Sequence, residues 1–463
     1  MPLLHSVSKW RLACLGTLEK KEVMLRVLAD RTYRHLFMAQ LIALVGTGLA
    51  TVALGLLAFD LAGANAGAVL GTALAIKMIA YVGVSPVAAA FAERLPRRTM
   101  LVALDLVRAG VAVFLPFVTE IWQVYVLIFI LQSASAGFTP TFQATIPDVL
   151  PDEKDYTKAL SLSRLAYDLE SVASPMLAAA LLSVISFHSL FAGTVIGFLA
   201  SAALVVSVML PSPKPSRPRG IYDRTTRGLR IYLATPRLRG LLALNLAVAA
   251  SGAMVIVNTV VLVQGQFGLS QRQTALALAA FGGGSMIAAL ALPQLLEKIP
   301  DRTAMLTGAA ILVAGMFLGP PVGQYPLLLA LWFVLGLGYS IAQTPSGRLI
   351  RRSADAVDRP ALFAAQFALS HACWLITYPI AGRVGAAMGL PFTYVLIGAI
   401  GVIALLAAMG LWPRHDPDVI AHVHADLPHG HPHIEDSIWT EAGYEHAHGF
   451  AVDDRHPRWP KAS

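Results

Sequence analysis

Charge is scarce in this chain. Asp, Glu, Lys and Arg make up 13% of its 463 residues, while hydrophobic residues make up 56%. The length alone would suit two or three soluble domains, but so little charge cannot cover their surfaces. Cysteine is nearly missing as well: Cys14 and Cys373 are the whole complement, and neither belongs to a C-x-x-C pair. A disulfide framework is therefore excluded. No G-x-x-x-x-G-K-[S/T] loop is present, so nothing supports a nucleotide-driven machine, and no hydrolytic triad or metal-hydrolase spacing points to an enzyme. A signal peptide is missing too, because the first apolar stretch is short, broken by Lys and Glu, and lacks a small-residue cleavage site.

What is present is apolar sequence in long runs, each near or above the ~18 residues that cross a hydrocarbon core. Twelve are expected, at about 37–59, 67–91, 99–119, 121–141, 160–185, 188–210, 239–264, 273–296, 303–321, 326–347, 361–386 and 391–412. Barrel strands would instead alternate over ~10 residues. The fold class expected is an all-α membrane protein of twelve transmembrane helices in two pseudo-symmetric six-helix bundles. The sequence divides into a lead over 1–36 (with Met24 the expected start), a bundle over 37–210, a basic central loop over 211–238, a second bundle over 239–412 and a tail over 413–463.

The net charge of +8 is scattered through short connections rather than gathered in a patch, which fits membrane topology and not nucleic acid. One side carries Arg94/Arg97/Arg98, Lys154/Lys158, Lys298/Arg302, Arg348/Arg351/Arg352 and the Arg-rich central loop; the other carries Arg272. Both termini are expected on the cytoplasmic side of a plasma or inner membrane, with lipid as the surrounding partner. The central loop starts Pro-rich and continues as a basic helix of interfacial character.

A charged knot separates the second and third runs, Ala89 to Leu101, and it is repeated. Glu93, Pro96, Arg98 and Thr99 recur as Glu297, Pro300, Arg302 and Thr303, a constant 204 residues later. Pro175 recurs as Pro379 at the same spacing. The halves are parallel repeats, an arrangement in which substrate binds between repeats that rock against each other.

Twelve spans as six plus six, with a basic loop after the second, resemble the major facilitator superfamily. Its loop signature is G-x-x-x-D-R-x-G-R-R; the chain has Ala89-Ala-Phe-Ala-Glu93-Arg94-Leu-Pro96-Arg97-Arg98, keeping an acid and the arginines but neither glycine. Phe138-Thr-Pro-Thr-Phe followed by Ile146-Pro-Asp-Val-Leu-Pro is similar to the branch of small-molecule exporters that includes siderophore efflux. The resemblance covers about residues 34–412 and implies a monomeric secondary transporter, with antiport implied only weakly because the glycine-proline motif of span five is here Ser174-Pro175 with Ala178-Ala179.

In the gating loop, Glu93 is expected to pair with Arg94, Arg97 or a neighbouring helix end and hold one conformational state, with Arg98, Glu297 and Arg302 in matching roles. The plainer reading is that these arginines only anchor topology. Charges inside spans are costly and face cavities or partners. Lys77 in span two has no local partner; Asp105 and Arg108 in span three, and Arg164 and Asp168 in span five, are spaced as ion pairs. Glu170 lies on another face, and Lys77 is expected to pair with Asp168 or Glu170, a candidate site for proton coupling. Span eleven, the repeat partner of span five, sets Gln366, Ser370, Cys373 and Thr377 in a polar stripe with His371 beside it. His371 and Cys373 with Asp168 or Glu170 would suit a transient divalent metal; a helix-packing stripe is the plainer reading.

Nine of the thirteen histidines follow residue 414: His415, His422, His424, His429, His431, His433, His446, His448 and His456. Neutral imidazoles bind borderline divalent metals, and His-x-His pairs share a face in extended chain. His422, His424, His429, His431, His433, His446 and His448 are the expected ligands of nickel, cobalt or zinc, and no tightly bound cofactor is expected. The alternative is a polar tail without a metal. The tail also resembles the His-rich tails of nickel-resistance exporters. The function expected is proton-coupled efflux, of nickel or cobalt first, of an organic solute with the tail as metal buffer second. A transporter-like membrane sensor is the reading from another class.

Overall fold

The computed structural model describes residues 26–92, 95–211, 221–354, 358–416, 419–424, 437–441, 443–452, 456 and 459. Helices dominate: α1 (Arg31–Ala62), α2 (Ala66–Ala92), α3 (Arg97–Phe114), α4 (Ile121–Val149), α5 (Glu153–Leu181), α6 (Phe187–Val206), α7 (Ile221–Ala234), α8 (Pro236–Val260), α9 (Gln271–Leu295), α10 (Asp301–Leu318), α11 (Tyr325–Gln343), α12 (Ser346–Arg352), α13 (Arg359–Pro379) and α14 (Leu390–Leu411). Among the described residues ten helical stretches are long and apolar enough to cross a membrane; one of them, 31–84, takes in both α1 and α2. The membrane part is all-α, as the composition predicts. The tail is not: β1 (Val419–His424), β2 (Ile438–Thr440) and β3 (Gly443–Gly449) form an antiparallel sheet in the order β1-β3-β2. Its cause is local, since VIAHVH and YEHAH alternate side chains with period two while the spans do not.

Local signals set the helix starts. Asp30 caps α1 by accepting from the Tyr33 amide at 2.7 Å. Gln123 Oε1 accepts from the Thr119 and Glu120 amides at 2.9 and 3.1 Å and closes the turn into α4. Pro96 and Pro300 occupy matching positions at the caps of α3 and α10, with φ of −57° and −58°.

The chain forms two compact units: Met1–Ser216 with Val257–Gly282, and Arg217–Ile256 with Gly283–Ser463. In the first, α1 and α6 approach on small residues, as membrane helices do where close backbone contact replaces the hydrophobic effect. A Cβ on Gly46 would lie 3.3 Å from the Thr194 carbonyl oxygen and one on Gly197 3.2 Å from that of Ile42, while Thr194 Oγ1 donates to the Gly46 carbonyl at 2.8 Å.

In the second unit, the basic helix expected in the central loop is α7. It lies along α13, where Arg227 Nε and Nη2 donate to the two carboxylate oxygens of Asp358 at 2.6 and 2.9 Å. Gly228 lets the backbones touch, since a Cβ there would stand 2.0 Å from the Ala361 carbonyl oxygen. One side of this basic helix packs inward, with Ile231 and Tyr232 buried in a core with Leu238, Leu349, Leu362 and Trp412, while Leu229 and Leu233 stay exposed. Phe450 and Val452 of the tail join that same core.

Candidate functional site

Within the first unit, polar and charged side chains from α2 to α5 meet in the interior. Asp105 and Arg108 of α3 are both buried and pair directly. Ser201 Oγ adds a hydrogen bond to Asp105 Oδ2 at 2.7 Å. The Arg108 guanidinium stands 4.2 Å from the Phe138 ring centroid and 4.5 Å from that of Phe198, so cation–π contact adds to the pairing. A buried pair with such extra contacts offsets part of its desolvation cost. The structural ion pair expected at this spacing is therefore present.

Arg108 also faces a cleft whose walls include Gln40, Tyr81, Phe138, Thr139, Phe142 and Tyr167. Tyr167 Oη and Thr139 Oγ1 are 3.2 Å apart, and Ser163 Oγ donates to Gln40 Oε1 at 3.0 Å. Lys77 Nζ lies 5.6 Å from the Tyr81 ring centroid. Of the two acids expected to partner it, Glu170 acts on Lys77 electrostatically. The Glu170 carboxylate rests on α1: a Cβ added to Gly48 would come within 2.6 Å of Glu170 Oε1. The side chains of Arg164 and Asp168 lie outside the described residues.

The repeated loop is fastened at matching places. Arg97, buried at the start of α3, pairs with Asp148 near the end of α4 at 3.3 Å. Arg98 donates to the Val206 carbonyl at the end of α6. In the second half, Arg302 donates to the carbonyls of Trp412 and Met409 at 3.2 Å each, at the end of α14. Asp301 pairs with Arg348 of α12. Glu93 and Arg94 lie outside the described residues, and Glu297 is exposed. Asp148, Asp301 and Arg348 were missed as partners, although Asp148 sits in the Ile146-Pro-Asp-Val-Leu-Pro stretch already singled out.

The polar stripe of α13 takes part in helix packing. Thr377 Oγ1 donates to the Ala249 carbonyl of α8 at 3.2 Å, and Gln366 accepts from Tyr232 of α7. Cys373 is buried. His371 sets Nδ1 2.6 Å from the Phe367 carbonyl and its ring centroid 3.9 Å from that of Phe367. Among the described residues, one group of three or more metal-ligating side chains converges, and it is in the tail.

That group is His422, His446, His448 and His456, whose ligand atoms all lie within 4.8 Å of one another. The register places His422 directly across from His446, with His448 two residues on along the same face. His456 arrives from beyond β3 and sets Nε2 3.1 Å from that of His422 and 3.2 Å from that of His424. Burial, and then the neighbouring imidazoles, hold His422 and His446 below the ordinary histidine value, although the Ile420 carbonyl beside His422 Nδ1 acts the other way. The neutral, metal-ligating form is thereby favoured. His456 was counted among the tail histidines but not among the expected ligands. His429, His431 and His433 lie outside the described residues.

Comparison with known proteins addresses the whole chain. The sequence profile of the Major Facilitator Superfamily matches residues 36–259 and 241–435. The multidrug efflux pump Tap of Mycobacterium tuberculosis is 26% identical over 316 residues, 65% of this chain and 74% of Tap. Macrolide efflux protein A of Enterococcus faecalis is 26% identical over 152 residues, 31% of this chain and 47% of that protein. The MFS-type transporter YfiS of Bacillus subtilis is 28% identical over 120 residues, 26% of this chain and 28% of YfiS. The matched stretches thus span under half the length of these last two relatives. Among solved structures, a bacterial homologue of the human lysosomal transporter Spinster superposes with a TM-score of 0.66 at 14% identity, covering 83% of this chain and 98% of that one. A D-xylose–proton symporter gives 0.60 at 16% identity, covering 84% and 97%. These similarities establish the fold, and the profile match across both halves establishes the family: the chain belongs to the Major Facilitator Superfamily.

Proposed function

We propose that the protein is a proton-driven exporter of organic solutes, a monomer of the plasma or inner membrane with both termini in the cytoplasm. The observation that carries this reading is the interior of the first unit. There Glu170 and Lys77 sit among the helices that also build a cleft walled by Tyr81, Phe138, Phe142 and Tyr167. Aromatic walls with a few hydrogen-bonding groups suit an amphiphilic organic molecule, and an intramembrane carboxylate suits a proton. Relatives named for macrolide and multidrug efflux support the same class of cargo. Alternating access between the two repeats carries the cargo outward, with the Arg97–Asp148 and Asp301–Arg348 contacts as the gating elements.

A second reading is favoured by one observation, the histidine cluster: the cargo is nickel or cobalt, passed from the tail to His371 and Cys373. Susceptibility of a host with and without the gene separates the two. Raised tolerance to macrolides or cationic dyes, abolished by a protonophore, with unchanged tolerance to nickel, cobalt, zinc and copper, is the expected result. Raised tolerance to metals alone would replace the first reading with the second. No change in tolerance or flux of any compound would leave the sensor reading.

A further inference from the structure

The tail is anchored on both sides of its histidine cluster. Upstream, Asp416 pairs with Arg237 at 3.5 Å and with Arg352, and accepts from Trp412 Nε1 at 3.0 Å. Downstream, the Phe450 carbonyl accepts from Arg237 Nη2 at 3.3 Å, and Trp459 lies with its ring centroid 4.6 Å from the same guanidinium. Arg237 is buried at the start of α8 and Arg352 ends α12, so the sheet sits on the basic-loop end of the second unit. The cluster touches this anchor directly, since the rings of His422 and His456 stand 5.0 and 4.9 Å from that of Phe450.

The imidazoles are set as ligands are set. His422 Nδ1 lies 3.0 Å from the Ile420 carbonyl, which places the proton on Nδ1 and leaves the Nε2 lone pair directed at the other rings. A backbone carbonyl holding the far nitrogen is the usual outer support of a metal-bound histidine. His422 Nε2 is 3.1 Å from Nε2 of both His446 and His456. With metal–nitrogen bonds of 2.0–2.1 Å, neighbouring ligands of a tetrahedral ion stand about 3.3 Å apart. Small ring rotations bring the rest of the group, now within 4.8 Å, to that distance.

We propose that His422, His446, His448 and His456 bind one divalent ion of the zinc, nickel or cobalt class, and that filling this site fastens the tail to the second unit. The ion is a resident and not a cargo, so the site stands whatever the transporter carries. Two strands and a segment beyond them supply the ligands, so they converge only when the sheet is formed. Binding therefore stabilises the folded, docked tail by linkage.

The test uses the full-length protein in detergent, stripped with a chelator. Zinc is titrated against a chromogenic chelator, and cobalt is added for its visible spectrum. One tight ion per chain and the intense bands of four-coordinate cobalt are expected. His422→Ala and His446→Ala should each weaken zinc about tenfold or more, while His415→Ala, at an exposed position outside the cluster, leaves it unchanged. His456→Ala guards against a mere unfolding effect: it removes a ligand without touching a strand and should weaken zinc on its own. Several weak ions per chain, or binding lost on replacing His429, His431 and His433 but not the four named residues, would overturn the site. Zinc should also slow amide exchange over β1, β3 and α12; tight binding with unaltered exchange would overturn the fastening.

Discussion

Asp301 stands where Arg97 stands in the repeat, 204 residues later, and the two enter the same kind of contact with opposite charge. Each is the first residue of its helix, behind a proline cap. An anion there is favoured by the helix dipole and a cation is not. Arg97 thus needs Asp148 more than Asp301 needs Arg348, and Arg97 is indeed the more enclosed cation, with side-chain exposures of 8% and 48% for the two arginines. Loss of one partner should follow that order. Asp148→Asn should lower thermal stability in detergent by about 1–3 kcal/mol, the cost of stranding a buried group, and Arg348→Gln by less, because the N-terminal dipole of α10 still steadies the buried Asp301. The exchange Arg97→Asp with Asp148→Arg should recover most of the loss. Equal effects in the two halves would sink this account.

The membrane architecture was legible because its signals are compositional: apolar runs, basic loops on one side and the loop repeated after 204 residues. Contacts between spans were not, because helical period fixes a face but not the neighbour it meets. Glu170 and Asp168 are equivalent as partners for Lys77 in the sequence, and the helical pattern alone does not show that Glu170 lies against Gly48 of α1. The basic, interfacial character read for α7 carried no sign that α13 is the helix it lies along. In the tail, period-two spacing placed His446 beside His448, whereas His456, beyond β3, joins them with no local signature.

The α7–α13 contact predicts a defect confined to the central connection. Arg227→Ala removes both hydrogen bonds to Asp358, and Gly228→Leu would drive a side chain into the Ala361 carbonyl. Gly228→Leu should expose the 217–234 segment to trypsin several-fold faster than wild type, and Arg227→Ala less so. Undisturbed cleavage rates in Gly228→Leu would mean that α7 does not rest on α13 in the membrane.

Glu170 is expected to carry the transported proton. Glu170→Gln keeps the size and hydrogen-bonding capacity of the side chain but cannot take up or release a proton. Reconstituted protein bearing it should lose pH-driven flux by about a hundredfold, within the range that a lost proton-transfer group costs, while exchange of cargo across the membrane continues without a gradient. Glu170→Asp should recover part of the driven flux. Loss of exchange together with driven flux would make Glu170 a packing residue against α1 instead.

The metal-free tail should open on acidification. His422 and His446 are held below the ordinary value of about 6.5 by burial and by the imidazoles of His424, His448 and His456. The unfolded tail therefore binds more protons than the folded one as pH falls past that value, and stability rises with pH across the window. The contribution is complete above the unfolded value and is lost as pH drops toward the lowered ones. Amide exchange over β1 and β3 in chelator-treated protein should be slow at pH 7.5 and markedly faster at pH 5.5, with the membrane helices unaffected. Replacing His422 and His446 by Asn removes the two titrating groups and should flatten that difference. Equal protection at both pH values in the wild-type protein would show that the cluster tolerates charge, and that burial of these rings does not govern the fold of the tail.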